Sequence, residues 1–222
     1  MTRSISTILF DLDHTLYEPA TGLLQAGDRM ITDYLAHRLQ LPHEEADELR
    51  ARLWRQYGTS ARGAEIEFGL AQPEFYHESL KTLDPAEHLS RDEPLAAMLE
   101  SLPAALYVVT NSATDYAHRV LKALGLDHCF AGVFGIEAFE WCPKPEETAY
   151  RCVLRSIGRD PAEVAMVEDF PWNLIPAKQL GMFTIFLGPE QEEADLWLQR
   201  LLDLPQKLAE AGVELRDEAA TT

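Results

Sequence analysis

The sequence predicts an α/β fold: a parallel sheet flanked by helices, with a helical module inserted after the first strand. Three observations predict it. Short, continuously apolar runs alternate with helical periods, the pattern of strands buried on both faces and joined by crossover helices. Most of these runs end in, or lead promptly to, a polar residue. The polar ends are also unevenly spaced: 99 residues separate Asp11 from Thr110, against 34 from Thr110 to Lys144 and 25 from Lys144 to Asp169. The two shorter gaps suit one crossover unit of about 30 residues. The first is far too long, so a helical domain is placed at 18–91 and the core domain at 1–17 and 92–222.

The elements follow in order. Residues 6–12 read as a buried strand ending in acids. Helical periods at 23–39 and 44–57, with shorter pieces at 64–68 and 73–80, fill the insertion. A second strand at 106–109 ends in Thr110-Asn111-Ser112. The helix at 115–124 places Val120, Leu121 and Leu124 on one face and stops at Gly125. A third strand, 133–136, leads to Trp141-Cys142-Pro143-Lys144-Pro145. A helix at 146–157 stops at Gly158, a strand at 164–167 ends in Glu168-Asp169, and a helix at 173–180 stops at Gly181. The fifth strand, 183–187, closes on Gly188-Pro189. Leu198, Leu201, Leu202 and Leu208 read as core or dimer packing, and 216–222 as a frayed polar tail.

Composition narrows the function. With 19 Lys and Arg against 37 Asp and Glu, the 222-residue chain carries a formal charge of −18. That argues against a nucleic-acid polymer, whose phosphates are bound by excess cations, and against an anionic membrane surface. The three cysteines are an odd set without a CxxC pair, read as reduced thiols of a cytoplasmic protein. The N-terminus meets two acids after a short apolar run, unlike a signal peptide, and no segment has the roughly 18 continuous apolar residues of a spanning helix. Seven scattered histidines show no metal-ligand spacing.

In open α/β sheets ligands bind outside the carboxyl ends of the strands. Asp11 and Asp13, two residues apart, project to one side there, and Thr110, Lys144 and Asp169 should converge on them. Asp11 suits a nucleophile that forms an acyl-phosphate. With Asp169 the two acids make a hard oxygen site suited to Mg²⁺, which screens carboxylate from phosphate. Asp13 can protonate a leaving alkoxide and then deprotonate water. Thr110, with Asn111 and the backbone N–H groups that follow, can hold phosphate oxygens, and Lys144 adds a point charge. Glu168 is expected to balance charge beside the metal rather than to ligate it. Singly, each has a bland explanation: a chance DxD, a surface lysine between prolines, a helix N-cap. Their order, each after a strand, is what discriminates.

The segments FDLDHTLY, VVTNS, CPKP and MVEDFPWN resemble the four motifs of the haloacid dehalogenase-like hydrolase superfamily, in order and in spacing. The resemblance runs from Ile8 to about Gly188. It implies a Rossmann-like core, an aspartyl-phosphate intermediate, Mg²⁺, and a mobile helical cap as the insertion. It implies Asp11 as nucleophile and metal ligand, Asp13 as acid/base with a backbone carbonyl to the metal, Thr110 and Lys144 on phosphate, and Asp169 on metal. Within the superfamily the chain looks like the pyrimidine 5′-nucleotidase group, through QAGDRMITDYL, QYGTSARG, RVLKALGL, CPKPEETAY and VEDFPWNLIPAKQLGM. That group hydrolyses nucleoside 5′-monophosphates such as UMP and CMP. Three positions depart from its pattern: His14 replaces an Asn, Tyr116 a His, and Trp172 an Arg. Tyr17, Arg62, Tyr116 and Trp172 are candidates for substrate specificity, with Trp172 either stacking on a base or packing on the cap. Tyr57 and Thr59 either meet the substrate or simply end a helix.

The expectation is thus a Mg²⁺-dependent phosphomonoesterase for a small-molecule substrate, monomeric or homodimeric. Other chemistries on the same fold are a phosphosugar phosphatase, a phosphomutase or a dehalogenase. Asp13 argues against the dehalogenase, which needs no acid for an alkoxide. A non-catalytic nucleotide-binding protein is the remaining alternative.

Overall fold

The computed structural model describes residues 3–190 and 193–216. In chain order the elements are β1 (Arg3–Ile5), β2 (Thr7–Phe10), α1 (Leu23–Leu39), α2 (His43–Tyr57), α3 (Ser60–Phe68), α4 (Gln72–Leu80) and α5 (Glu93–Glu100). There follow β3 (Ala105–Val109), α6 (Thr114–Leu124), β4 (Gly132–Phe134), α7 (Glu147–Ile157), β5 (Val164–Glu168), α8 (Pro171–Gln179), β6 (Phe183–Leu187), β7 (Leu196–Leu198), α9 (Leu204–Glu210) and β8 (Val213–Leu215). Six strands form one sheet in the order β4-β3-β2-β5-β6-β7, and every pairing is parallel. A small second sheet pairs β1 with β8.

The central strand is β2, fully buried, with Phe10 opposite Val108 on one side and Val167 on the other. The chain leaves β2 toward β3 and β4, then returns to β5 on β2's other flank. That reversal opens a crevice at the carboxyl ends, where this class of sheet binds ligands. The Asp11 N–H still bonds to Val167 O at 2.9 Å, which fixes the first acid at the strand's lip. The chain then turns, with Leu16 N–H returning to Leu12 O and His14 at φ 63°. The strand expected over 6–12 therefore ends at Phe10.

The insertion carries α1–α4, and Leu35, Ala46, Leu53, Ala61, Ala64, Leu70 and Phe75 form an apolar cluster of their own. Its two ends pack elsewhere: Leu23, Ala26, Leu80 and Leu83 join the main core. Gly63 sits where α3 crosses α2, and an added Cβ would lie 2.7 Å from the Tyr57 ring and 2.8 Å from Leu53. Glycine lets these helices approach closely.

Some elements differ from expectation. The third strand spans Gly132–Phe134 rather than 133–136, because Ile136 opens a short 3-10 turn through Phe139. β1, β7, β8, α5 and α9 lie outside the elements the sequence pattern predicts. Leu198, Leu201 and Leu208 are buried in the main core, while Leu202 is exposed. The tail expected to fray lies, from 217 onward, outside the described residues. Among the described residues no helix is long and apolar enough to cross a membrane.

Candidate active site

Lys144 organises the crevice. Its side chain is 1% exposed, and its ammonium donates to Asp11 Oδ1 at 2.7 Å, Glu168 Oε2 at 2.7 Å and Val109 O at 2.9 Å. Burial works against the charged form, but Asp11 and Glu168 outweigh it and raise the lysine's pKa. A lysine flanked by prolines is thus turned inward. The turn that does this is clamped by Asn111, whose Nδ2 donates to Lys144 O at 2.9 Å and whose Oδ1 accepts from Lys144 N at 2.8 Å. Both ends of the Asn111 amide are engaged on this backbone. Thr110 is buried, and its Oγ1 accepts from Ser112 N at 3.0 Å, an ST-type turn at the end of β3.

Asp13 is held at both oxygens. Tyr17 Oη donates to Oδ1, and Ser112 Oγ donates to Oδ2 at 2.8 Å. Burial first, and the Asp11 charge second, push its carboxyl up to about 6. Glu168 is also committed on both sides, to Lys144 and to Asn173 Nδ2 at 3.0 Å. By contrast, Asp169 lies a long 3.9 Å from His14 Nδ1, and Asp11 Oδ2 accepts from Thr15 Oγ1 at a long 3.4 Å.

Asp11, Glu168 and Asp169 each offer an oxygen within 4.8 Å of the others. Three carboxylates face one ammonium, and burial followed by the Asp11 charge drives Glu168 and Asp169 upward. Excess negative charge among hard oxygen donors is the environment a divalent cation such as Mg²⁺ relieves, so the donor set fits one. With Glu168 committed on both oxygens, Asp11 and Asp169 could hold such a cation. A second grouping, Glu100, His128 and Cys129, lies at the opposite, amino-terminal end of the sheet. The 2.9 Å hydrogen bond between Glu100 and His128 Nε2 accounts for that grouping.

A cavity of about 1070 Å³ opens over this floor, walled by Trp54 and Arg62 from the insertion and by Phe170 and Trp172 from the start of α8. Of the expected specificity residues, Arg62 reaches Glu146 at 3.3 Å and contacts Cys142 Sγ at 3.7 Å. Tyr116 lines the cavity but is buried beside Tyr17, and burial raises the pKa of both phenols. Trp172 is 60% exposed. Tyr57 bonds Glu67 at 3.0 Å, and Thr59 caps α3 by accepting from Arg62 N at 3.1 Å. Trp54 and Phe170 were not singled out from the sequence. An aromatic on an amphipathic helix gives no signal of its own, although Phe170 adjoins Asp169.

The sequence profile of the haloacid dehalogenase-like hydrolase family matches residues 5–181. The chain belongs to that family. Among curated relatives, Phosphate metabolism protein 8 of Saccharomyces cerevisiae is 27% identical over 135 residues, 56% of this chain but only 41% of that protein. A probable phosphatase, IndB, of Dickeya dadantii is 27% identical over 194 residues, 80% of this chain and 79% of that one. The phosphoglycolate phosphatase of Neisseria meningitidis is 26% identical over 187 residues, 82% and 79%. Among solved structures, the HAD phosphatase from Thermococcus onnurineus superposes with TM-score 0.67 at 22% identity, covering 92% of this chain and 98% of that one. The L-2-haloacid dehalogenase of Xanthobacter autotrophicus does so with TM-score 0.61 at 16% identity, covering 93% and 98%. These likenesses carry the fold.

Proposed function

We propose that this hydrolase is a Mg²⁺-dependent phosphomonoesterase that works through an aspartyl-phosphate on Asp11, with pyrimidine nucleoside 5′-monophosphates as substrates. The observation that carries the chemistry is the pairing of an inward Lys144 on Asp11 with an Asp13 held at both oxygens. Residues 18–91 then act as a cap that closes the site to bulk water.

In this reading Thr110, the main chain after it and Lys144 bind the phosphoryl oxygens, while Asn111 holds the Lys144 turn. The Asp11 carboxylate attacks phosphorus, the P–O ester bond breaks, and Asp13 gives its proton to the departing alkoxide. Asp13 next takes a proton from water, whose oxygen attacks the same phosphorus, and Asp11 is released with inorganic phosphate. A carboxyl raised to about 6 suits both halves, since it exchanges protons close to neutral pH. Mg²⁺ held by Asp11, Asp169 and the Asp13 carbonyl supplies the charge that lets a carboxylate approach a phosphate dianion.

A second reading, a phosphatase for small anionic esters, is favoured by the relatives named phosphoglycolate phosphatase. The shared chemistry is tested with p-nitrophenyl phosphate. Phosphate release is expected with Mg²⁺, and Asp11→Asn should reduce it by at least ~10³-fold. Metal-dependent turnover by that variant at the parent rate would refute the assignment.

A further inference from the structure

The cavity wall carries three aromatic side chains that the chemistry above does not use. Trp54 is 45% exposed, Phe170 36% and Trp172 60%. They form a chain: the Trp54 and Phe170 ring centroids are 5.4 Å apart at 54°, and those of Phe170 and Trp172 are 6.0 Å apart at 58°. Both pairs are tilted, so the rings do not cover one another's faces as offset-stacked rings would. Exposed aromatic faces grouped in this way mark a binding surface. All three line the same cavity as Asp11, Lys144 and Asp169. Trp172 follows Asp169 by three residues, a chain reach of at most about 11 Å.

We propose that Trp54, Phe170 and Trp172 form a stacking subsite for the planar heterocycle of a nucleoside 5′-monophosphate, and that this subsite sets substrate choice. The proposal rests on the phosphomonoesterase reading and deepens it. Size supports it. Small-molecule pockets run to roughly 300–1,000 Å³, and a cavity of about 1070 Å³ is much larger than a two-carbon phosphoacid needs. Chemistry supports it too. Indole and phenyl faces offer nothing to a carboxylate, whereas every nucleobase has a π-face to lay on them. The cation a small phosphoacid would need for its carboxylate is available in Arg55, which lines the cavity and has no acidic partner among the described residues. The two substrates therefore call on different walls. Trp54 stands on α2, Phe170 immediately before α8 and Trp172 in its first turn, so the subsite exists only while the insertion lies over the sheet.

The test compares UMP with 2-phosphoglycolate, both with Mg²⁺, on the full chain and on its Trp172→Ala, Trp54→Ala and Trp172→Phe variants. The alanine variants are expected to lower kcat/KM for UMP about tenfold more than for 2-phosphoglycolate, chiefly through KM. Trp172→Phe, which keeps a ring face, should recover most of the loss. A parallel titration of UMP into Asp11→Asn should quench tryptophan fluorescence, and the quench should largely vanish when Trp172→Ala is added. Equal losses on the two substrates, no loss on UMP, or a quench unaltered by Trp172→Ala would each overturn the subsite. Should the parent chain release phosphate from neither ester, the phosphomonoesterase reading falls. The fluorescence titration then still decides whether the aromatic wall binds the nucleotide.

Discussion

Lys144 shows why a buried charge must be judged with its partners. An isolated ammonium at that depth would lose its proton. Here two carboxylates and a main-chain carbonyl surround it, and together they keep it charged. Its removal strands Asp11 and Glu168 in the interior. Lys144→Met should therefore destabilise the fold by about 3–5 kcal/mol, measured by urea unfolding at neutral pH, besides slowing turnover. A change within error of zero would mean that the lysine reaches solvent. Asp11, Asp13 and Asp169 were legible in the sequence because each closely follows a strand, and strand ends converge in a parallel sheet whatever the separation along the chain; Lys144, ten residues past β4, was legible through its place in the motif order. Asn111 was legible only as a polar strand-end residue. Its clamp on Lys144 depends on a turn 33 residues away, which no local pattern encodes. Ser112 as a holder of Asp13 was hidden for the same reason, 99 residues away, whereas Tyr17 is only four residues from Asp13 and reaches it through the turn that follows β2.

Long helices with one apolar stripe announced themselves, and α1 occupies Leu23–Leu39 as its periodicity predicts. The strands β1, β7 and β8 have three residues each, too few for any period. α5 did carry a signal: Asp92 precedes Glu93-Pro94 and its side chain accepts from Leu95 N at 2.9 Å, an N-cap with proline in the first turn. β7 is an edge strand of three residues, and a side chain adds to the 3.1 Å bond from Asp195 N to Thr184 O that fastens its start to β6. Asp195 Oδ2 accepts from the Thr184 N–H at 2.9 Å and from the Thr184 hydroxyl at 2.8 Å, and Lys178 lies 3.1 Å from Oδ1. Burial tends to raise this carboxyl, but the Thr184 and Lys178 bonds prevail and hold it below its ordinary value. A carboxyl depressed in the folded state stabilises above its unfolded pKa, and that stability is lost as pH falls. Asp195→Ala should thus cost about 1–3 kcal/mol at pH 7, because Thr184 is left with buried, unpaired donors. In urea melts, the gap to the parent chain should narrow as pH drops below about 4. A gap independent of pH would mean that the carboxylate's charge plays no part in holding β7.

Taken whole, the molecule is strongly acidic, −18 overall, and its most crowded negative charge sits in the crevice, where Asp11, Glu168 and Asp169 lie within 4.8 Å of one another. Two effects of added salt must then be separated. Any electrolyte screens the general self-repulsion and raises stability modestly. A cation bound between Asp11 and Asp169 stabilises the folded chain alone, by mass action. At ten to a hundred times its dissociation constant that amounts to about 1.4–2.7 kcal/mol, or about 3–10 °C in Tm for a chain of this size. Millimolar MgCl₂ should therefore raise Tm by that much beyond NaCl of equal ionic strength, and EDTA should reverse it. Asp169→Asn removes one carboxylate charge from the crevice and leaves the size of the side chain, 3.9 Å from His14, unchanged. It should keep the response to NaCl and lose the excess due to Mg²⁺. Equal shifts in the two salts, or an excess that survives Asp169→Asn, would place the cation elsewhere and leave the raised Asp169 and Glu168 carboxyls to be relieved by protons alone.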